Sequence, residues 1–339
     1  MRAWRLKSAN NLKLETLEPV SPTDDFIKLK VTFVGLSKQD VNMYSGDLVT
    51  NDLPITIGRQ AVGMVTEVGD AVKSVSRGDR VVLDSYIDCV DCDECRDGRY
   101  TDCIDLKMYG VHGHGFMSDF VIAREGDVFK LPDMVKDEEA IFVSHIAFAS
   151  NILSKLNIQK GEYLVISGAT VVGVILAQLA LYHQVVPILI DTRHDRLNLA
   201  EKLGIYYTIN SVKDDTKKRI FSLTGGAMAS TAAYFPTADT PVAKCLDYVS
   251  NGGRVAICDW QGNANRLSGA FDAILAKQLT VIGVSNGAKL IPTAINMLAT
   301  KTISVQTAIT SIVSFDDVEK EIKEQIKHPD KDIKVLVKV

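Results

Sequence analysis

The chain has 339 residues, of which 46% are hydrophobic and 24% charged, with a formal net charge of −4. This is the composition of a soluble globular protein long enough for two domains, and its acidic balance gives no footprint for nucleic acid. No apolar run reaches the ~18 residues of a membrane helix, and the opening MRAWRLKSANNLKLE lacks an apolar centre for a secretory signal; a cytoplasmic protein is expected.

Taken in order, residues 1–140 are rich in strand and turn signals. Phe26–Phe33, Ala61–Val68, Arg80–Leu83, Asp119–Ala123 and Val128–Leu131 read as strands, punctuated by Gly69-Asp70, Gly78-Asp79 and Pro132-Asp133. No strand–helix rhythm appears, which predicts a separate antiparallel, barrel-like domain. Within it stand Cys89, Cys92, Cys95 and Cys103. Four thiolates at this spacing can close a tetrahedral cage on one zinc and leave no open position, so the site is expected to be structural. An iron–sulfur cluster is the rival reading. A disulfide pair or reactive thiols suit a reducing compartment less well.

From about Lys136 the rhythm changes. A helix is expected from Glu138 to Leu156. Tyr163–Ser167 then reads as a strand that meets Gly168-Ala169-Thr170-Val171-Val172-Gly173 directly. A helix follows from Val174 to about Tyr182, then a strand from Val185 to Ile190 that ends on Asp191. Strand, glycine-rich turn, helix, strand and acid make a dinucleotide-binding unit. Gly168 makes the tight turn and Gly173 lets the helix pack close to the sheet. The helix start, at Val171 and Val172, offers unpaired N–H groups to a pyrophosphate. Asp191 accepts from the ribose hydroxyls and repels a 2′-phosphate, which favours NAD over NADP; Arg193 and Arg196 oppose that preference. The middle glycine of the fingerprint is replaced by Thr170, whose side chain is expected to crowd the pyrophosphate.

Tyr206–Asn210, Thr231–Phe235, Arg254–Cys258 and Leu279–Val284 read as further strands, with helices at Asp214–Leu223 and Val242–Ser250 between them. A doubly wound parallel sheet of six strands results. After Gly287 come a helix at Ile291–Ala299, a strand at Thr310–Phe315, a charged helix at Asp316–Lys327 capped by Ser314 or Asp316, and a strand at Ile333–Val339. Because the sheet is already complete, this end is expected to return to the first domain. The expected division is 1–140 with 288–339, carrying a zinc lobe at 86–106, and 141–287.

A cysteine lobe in an N-terminal barrel, followed by a Rossmann domain, resembles the medium-chain dehydrogenase/reductase family, which includes the zinc alcohol, sorbitol and threonine dehydrogenases. The resemblance is carried by Gly35-Leu36-Ser37-Lys38-Gln39-Asp40, Tyr44-Ser45-Gly46 and Pro54-Ile55-Thr56-Ile57-Gly58. It continues through Val62-Gly63, Val68-Gly69, Gly78-Asp79-Arg80-Val81, the cysteines, Leu131-Pro132-Asp133, Gly168–Gly173, Gly252-Gly253-Arg254-Val255 and Lys334-Val335. It implies an α/β protein with a GroES-like β-barrel domain and a Rossmann domain. It also implies an NAD(P)-dependent oxidoreductase that pairs through the strand near Leu279–Val284 into a homodimer, or a homotetramer built from one.

The departures from the family pattern are informative. Members with a catalytic zinc place a Cys where this chain has Ser37, and a His-Glu pair where it has Arg59-Gln60. Their third ligand should fall at Val143, Ser144 or His145, of which only His145 can bind zinc. Gln39 replaces the hydroxyl of the proton relay, and Asn42 the histidine near it. A permanent cation at Arg59 repels Zn²⁺, so no catalytic zinc is expected.

Arg59 can polarise a carbonyl, or anchor a carboxylate or phosphate; a surface arginine is the plainer reading. His145 is the acid–base candidate or an ordinary helix histidine. His112 and His114, in GVHGHG, mark a mobile loop near the cleft rather than a metal pair. Asp40 supports the site, and Cys245 and Cys258 read as core. Two functions follow from the resemblance. One is zinc-independent hydride transfer with a small-molecule carbonyl or alcohol, imine or activated C=C substrate. The other is a degenerate nucleotide-binding member that acts as a sensor or structural subunit.

Overall fold

The computed structural model describes residues 1–48, 50, 52–236, 241–259, 269–329, 331 and 333–339. The chain forms two compact units, Met1–Ser144 with Ala288–Thr300 and Val305–Val339, and His145–Gly287 with Lys301–Ser304.

The first unit is built on strand Phe26–Leu36, which pairs antiparallel with Gln60–Val68, Phe120–Arg124 and Lys334–Lys338. Ile27, Leu29, Val31 and Phe33 from this strand are buried, while Lys28 and Lys30 between them are not. That period of two sets the register, because a slip of one residue would bury the lysines. The closing strand Lys334–Lys338 inserts between Phe26–Leu36 and Ile309–Ser314, so a residue at its start is surrounded by sheet. An N-terminal hairpin, Arg2–Ser8 with Asn11–Thr16, lies outside the strands read from the sequence; Asn10 turns it with φ 59°.

Helix Lys38–Ser45 was not anticipated either, since its composition is polar. It forms because Ser37 and Asp40 make a reciprocal capping box and Gly46, at φ 88°, ends it. The helix expected from Glu138 to Leu156 is two helices, Asp137–Ala140 and Val143–Leu156, separated by the buried Ile141 and Phe142. No glycine or proline stands there to announce the break.

The second unit carries a six-stranded parallel sheet. Its spatial order is Tyr207–Asn210, Val186–Asp191, Tyr163–Ser167, Ala229–Tyr234, Val249–Ile257 and Thr280–Gly283. The order runs outward in both directions from Tyr163–Ser167. The crevice beyond its carboxyl end is therefore the switch point where open α/β sheets bind ligands. Strand Val249–Ile257 starts earlier than expected, which shortens the preceding helix to Val242–Asp247. Gly252, at φ 71°, makes the turn that lets this strand begin before Arg254.

Candidate active site

In the second unit, Gly168 leaves strand Tyr163–Ser167 with φ 112°, a conformation that favours glycine. A Cβ on Gly173 would lie 2.1 Å from the carbonyl oxygen of Gly168, so the helix Val171–Tyr182 packs against the turn only because Gly173 has none. Thr170 is the N-cap of that helix, and its Oγ1 accepts from Gly173 N at 3.1 Å. The side chain is turned back on its own helix, so Thr170 has a capping role that the sequence reading did not give it. Val171 and Val172 occupy the first turn, whose N–H groups have no acceptor within a helix.

Asp191 is buried at the end of Val186–Asp191 and accepts from Ala169 N at 2.7 Å and Arg193 N at 2.9 Å. It ties the glycine turn to the neighbouring strand. A carboxylate has further lone pairs for a ribose hydroxyl. Arg193 is paired with Asp195 through Nε at 3.0 Å and Nη2 at 2.5 Å. Arg196 stands half-buried on helix His194–Lys202. His145 lies in the first turn of Val143–Leu156, half-buried. Cys245 and Cys258 are buried in this unit's core, and burial pushes the Cys245 thiol up to about 12.

In the first unit, the hairpin Tyr86–Ile87 with Lys107–Met108 closes the base of the cysteine lobe. The ligand atoms of Cys89, Cys92, Cys95 and Cys103 all lie within 4.8 Å of one another. Zn–S bonds of ~2.3 Å in a tetrahedron require sulfurs roughly 3.8 Å apart, and the Cys89–Cys103 pair is at 3.6 Å. The sulfurs of Cys89, Cys92 and Cys103 accept from the backbone amides of Cys92, Cys95 and Cys89 at 3.4, 3.4 and 3.5 Å. Such bonds favour thiolates, and those on Cys89 draw its thiol down to about 7. Burial drives Cys95 the other way, up to about 12. Four adjacent thiols cannot all ionise without a cation among them, so this donor set fits one zinc. The root of the lobe is fixed by Lys289, whose Nζ pairs with Asp88 at 2.9 Å and Asp127 at 2.5 Å. Arg124 and Tyr109 also bond to Asp127. Among the described residues no other group of His, Cys, Asp and Glu side chains converges as a metal site.

The residues that resemble a catalytic-zinc site also lie in this unit. Arg59 is only 7% exposed. Its guanidinium carbon sits 5.5 Å from the centroid of the Tyr86 ring, and its Nε is buried without a hydrogen-bond partner. The plain surface-arginine reading is thereby excluded. Ser37 Oγ donates to Asp40 Oδ2 at 2.5 Å, and Ser37 N donates to the same oxygen at 2.8 Å. Gly58 N donates to Asp40 Oδ1 at 2.8 Å. Asp40 thus fastens the start of one helix to the segment that carries Arg59. Ser85 Oγ donates to the Arg59 carbonyl at 2.8 Å and lies 2.8 Å from Ser144 Oγ. Gln39 and Asn42 are half-buried on helix Lys38–Ser45.

His112 Nδ1 accepts from Met108 N at 3.1 Å, and His114 Nδ1 from Thr56 N at 3.3 Å. The first bond stays inside the loop and the second ties it to strand Ile55–Thr56. The sequence reading passed over Lys334 as a mere motif match. It is 4% exposed, and its Nζ donates to Leu36 O at 2.9 Å and Gln60 Oε1 at 2.5 Å. Burial lowers its pKa to about 7, with Arg59 adding to the drop and Asp40 opposing it. The signal was a lysine opening the otherwise apolar run Val335–Val337.

Two family models match the chain, the alcohol dehydrogenase GroES-like domain over residues 23–133 and zinc-binding dehydrogenase over residues 171–300. The chain belongs to the medium-chain dehydrogenase/reductase family. An uncharacterized zinc-type alcohol dehydrogenase-like protein of Haemophilus influenzae is 29% identical over 99% of this chain and 98% of its own length. Sorbitol dehydrogenase of Bacillus subtilis is 24% identical over 99% and 97%. The solved structure of an Escherichia coli alcohol dehydrogenase in complex with NADH superposes with a TM-score of 0.89 at 22% identity, covering 100% of this chain and 99% of that one. Medium-chain dehydrogenase/reductases of this kind are NAD(P)-dependent oxidoreductases, with the barrel and parallel sheet described above. No described helix is long and apolar enough to cross a membrane.

Proposed function

We propose that this medium-chain dehydrogenase/reductase is an NAD-dependent oxidoreductase that works without a catalytic zinc on a small polar substrate. The observation that carries this reading is Arg59. A guanidinium stands where the family resemblance puts a metal-binding histidine, buried and with Nε unpaired. A buried donor left without an acceptor costs about 1–3 kcal/mol, which a ligand oxygen at that position would offset. The neutral Ser37 and Gln60, in place of a thiolate and a carboxylate, remove the donors that zinc would need.

Bound NAD(H) supplies or accepts the hydride. Oxidation of an alcohol would also require a base of this chain to take the hydroxyl proton, and reduction of the carbonyl an acid to return it. Arg59 stabilises negative charge on the substrate, through its oxygen or an attached anionic group. Gln39, Gln60, Ser37 and Asn42 supply neutral hydrogen bonds, and His145 takes or returns the proton. Gly168, Thr170, Val171, Val172 and Gly173 receive the pyrophosphate at the helix start. Asp191 favours NAD, and Arg193 is drawn off by Asp195. The four cysteines hold one structural zinc. Strand Thr280–Gly283 is the open edge of the sheet, and the neighbouring helix exposes Phe271 (69%) and Leu275 (77%), which supports pairing into a homodimer at that edge.

The alternative of a nucleotide-binding member without chemistry rested on Thr170. The capping role of Thr170 at the helix start supports the enzymatic reading instead. Arg59→Ala should lower kcat/KM on the true substrate by on the order of 10²-fold, the usual cost of losing a charge-stabilising donor. Arg59→Lys should restore part of it, since the planar fork is lost. Full activity in Arg59→Ala would make the arginine structural and end this reading.

A further inference from the structure

The surroundings of Arg59 carry more positive charge than their own carboxylate can balance. Two cationic side chains are buried there, Arg59 at 7% and Lys334 at 4% exposure. Both acceptors of Lys334 Nζ, the Leu36 carbonyl and the Gln60 amide oxygen, are uncharged. The charged groups acting on Lys334 from the elements packed around it are Asp40 and Arg59. Asp40 is itself committed, with one oxygen on Gly58 N and the other on Ser37 N and Oγ. Lys334 therefore has one carboxylate and one further cation acting on it, and the Arg59 Nε has no partner.

We propose that the buried cations Arg59 and Lys334 mark a place that receives a carboxylate, so that the substrate is a small hydroxy- or oxo-carboxylic acid. The proposal rests on the reading above that Arg59 meets the substrate. Charge counting selects the class. Arg59 and a protonated Lys334 against Asp40 leave a single positive charge. A carboxylate monoanion cancels it, whereas a phosphate monoester dianion would leave a buried negative charge, which is unfavourable. The planar guanidinium matches a carboxylate in two-pronged fashion. Without a ligand, burial and the nearby arginine hold Lys334 at a pKa of about 7. An anion beside it favours the charged form, so binding should draw in a proton above that pH.

The test is calorimetry on the zinc-loaded full chain with saturating NADH, using propionate, its neutral isostere propionamide, and inorganic phosphate. Propionate should bind about 10–100-fold more tightly than propionamide, the worth of a charge-assisted bond. At pH 8, titrations in buffers of different ionisation enthalpy should show proton uptake with propionate; at pH 5.5, where Lys334 is already charged, they should show none. Arg59→Ala should abolish the preference for the acid, and Lys334→Met should abolish the uptake. Equal affinity for acid and amide, stronger binding of phosphate than of propionate, or uptake that survives Lys334→Met would each overturn the proposal. The acid–amide comparison needs no variant, so poor folding of a mutant cannot shelter it. If Arg59→Ala cripples turnover but acid and amide bind alike, only this inference fails. If turnover survives Arg59→Ala while the wild-type protein selects the acid and the variant does not, the proposed role of Arg59 in catalysis fails and the carboxylate site stands.

Discussion

Asp40 gives the sharpest test of how this site is held together. It is 1% exposed and accepts three hydrogen bonds, from Ser37 N and Gly58 N at 2.8 Å each and from Ser37 Oγ at 2.5 Å. Asp40→Ala would leave two backbone N–H groups in a dry interior without acceptors. Each such orphan costs about 1–3 kcal/mol, while the N-cap bond from the residue-40 amide to Ser37 Oγ is kept. The expected destabilisation is therefore about 2–6 kcal/mol. Asp40→Asn keeps one acceptor oxygen and should cost roughly half as much. Urea unfolding of the zinc-loaded protein measures this. Trp4 is the reporter for the first unit, buried with its Nε1 donating to Phe315 O at 2.7 Å, in a Trp260→Phe background. The pH dependence adds a signed check. The folded pKa of Lys334 is about 7, below its ordinary 10.5, so the unfolded chain binds that proton more tightly and wild-type stability should rise between those values. Removing the carboxylate that opposes the shift should lower the folded pKa further and extend the rising limb to lower pH. A cost within about 1 kcal/mol of zero for Asp40→Ala, less than a single orphaned donor, would refute the account of Asp40 as the fastener of the Arg59 segment.

Elemental analysis should find about one zinc per chain, as four thiolates in one cage require; near two per chain would overturn the assignment of Arg59 to a metal-free site. Cys92→Ser should lower the thermal midpoint and release the metal, because binding and folding of such lobes are coupled. NADH should quench protein fluorescence at lower concentration than NADPH, and Asp191→Asn should narrow the gap; a preference for NADPH would give Arg196 the deciding role. Sedimentation should report a homodimer or homotetramer, with Phe271→Asp and Leu275→Asp shifting it towards monomer; a wild-type monomer at micromolar concentration would contradict edge pairing.

Much of this molecule is legible in its sequence because the decisive features are local. The turn Gly168–Gly173 and the four-cysteine lobe place their chemistry within a few residues of one another, and the local chain geometry does the rest. The parallel strands announced themselves as short apolar runs between turn signals. What escaped depends on distant partners. Helix Lys38–Ser45 has little apolar character, and its stability comes from Ser37 and Asp40 capping each other. Thr170 read as a defect in a glycine pattern because the pattern does not say where a threonine hydroxyl will point. Lys334 was invisible as a functional group because its burial exists only once the last strand lies between two others. A charged residue opening an apolar strand is the one sequence clue to it.

The replacements around Arg59 also bear on whether the site is active or decayed. Where a zinc-binding relative carries His-Glu, this chain carries Arg59-Gln60. Had only the histidine changed, a glutamate at position 60 would stand 2.5 Å from Lys334 Nζ, where Gln60 Oε1 now is. That carboxylate would pair with the lysine and neutralise one of the two cations. Gln60 keeps the hydrogen bond and removes the charge. Ser37 does the same for the thiolate position, keeping a donor for Asp40 without a negative ligand. Each exchange leaves the packing partners satisfied and subtracts a negative charge from around a buried arginine. Decay of an unused metal site imposes no such direction. The proposed anion site would impose it, because every internal negative group there would compete with the ligand.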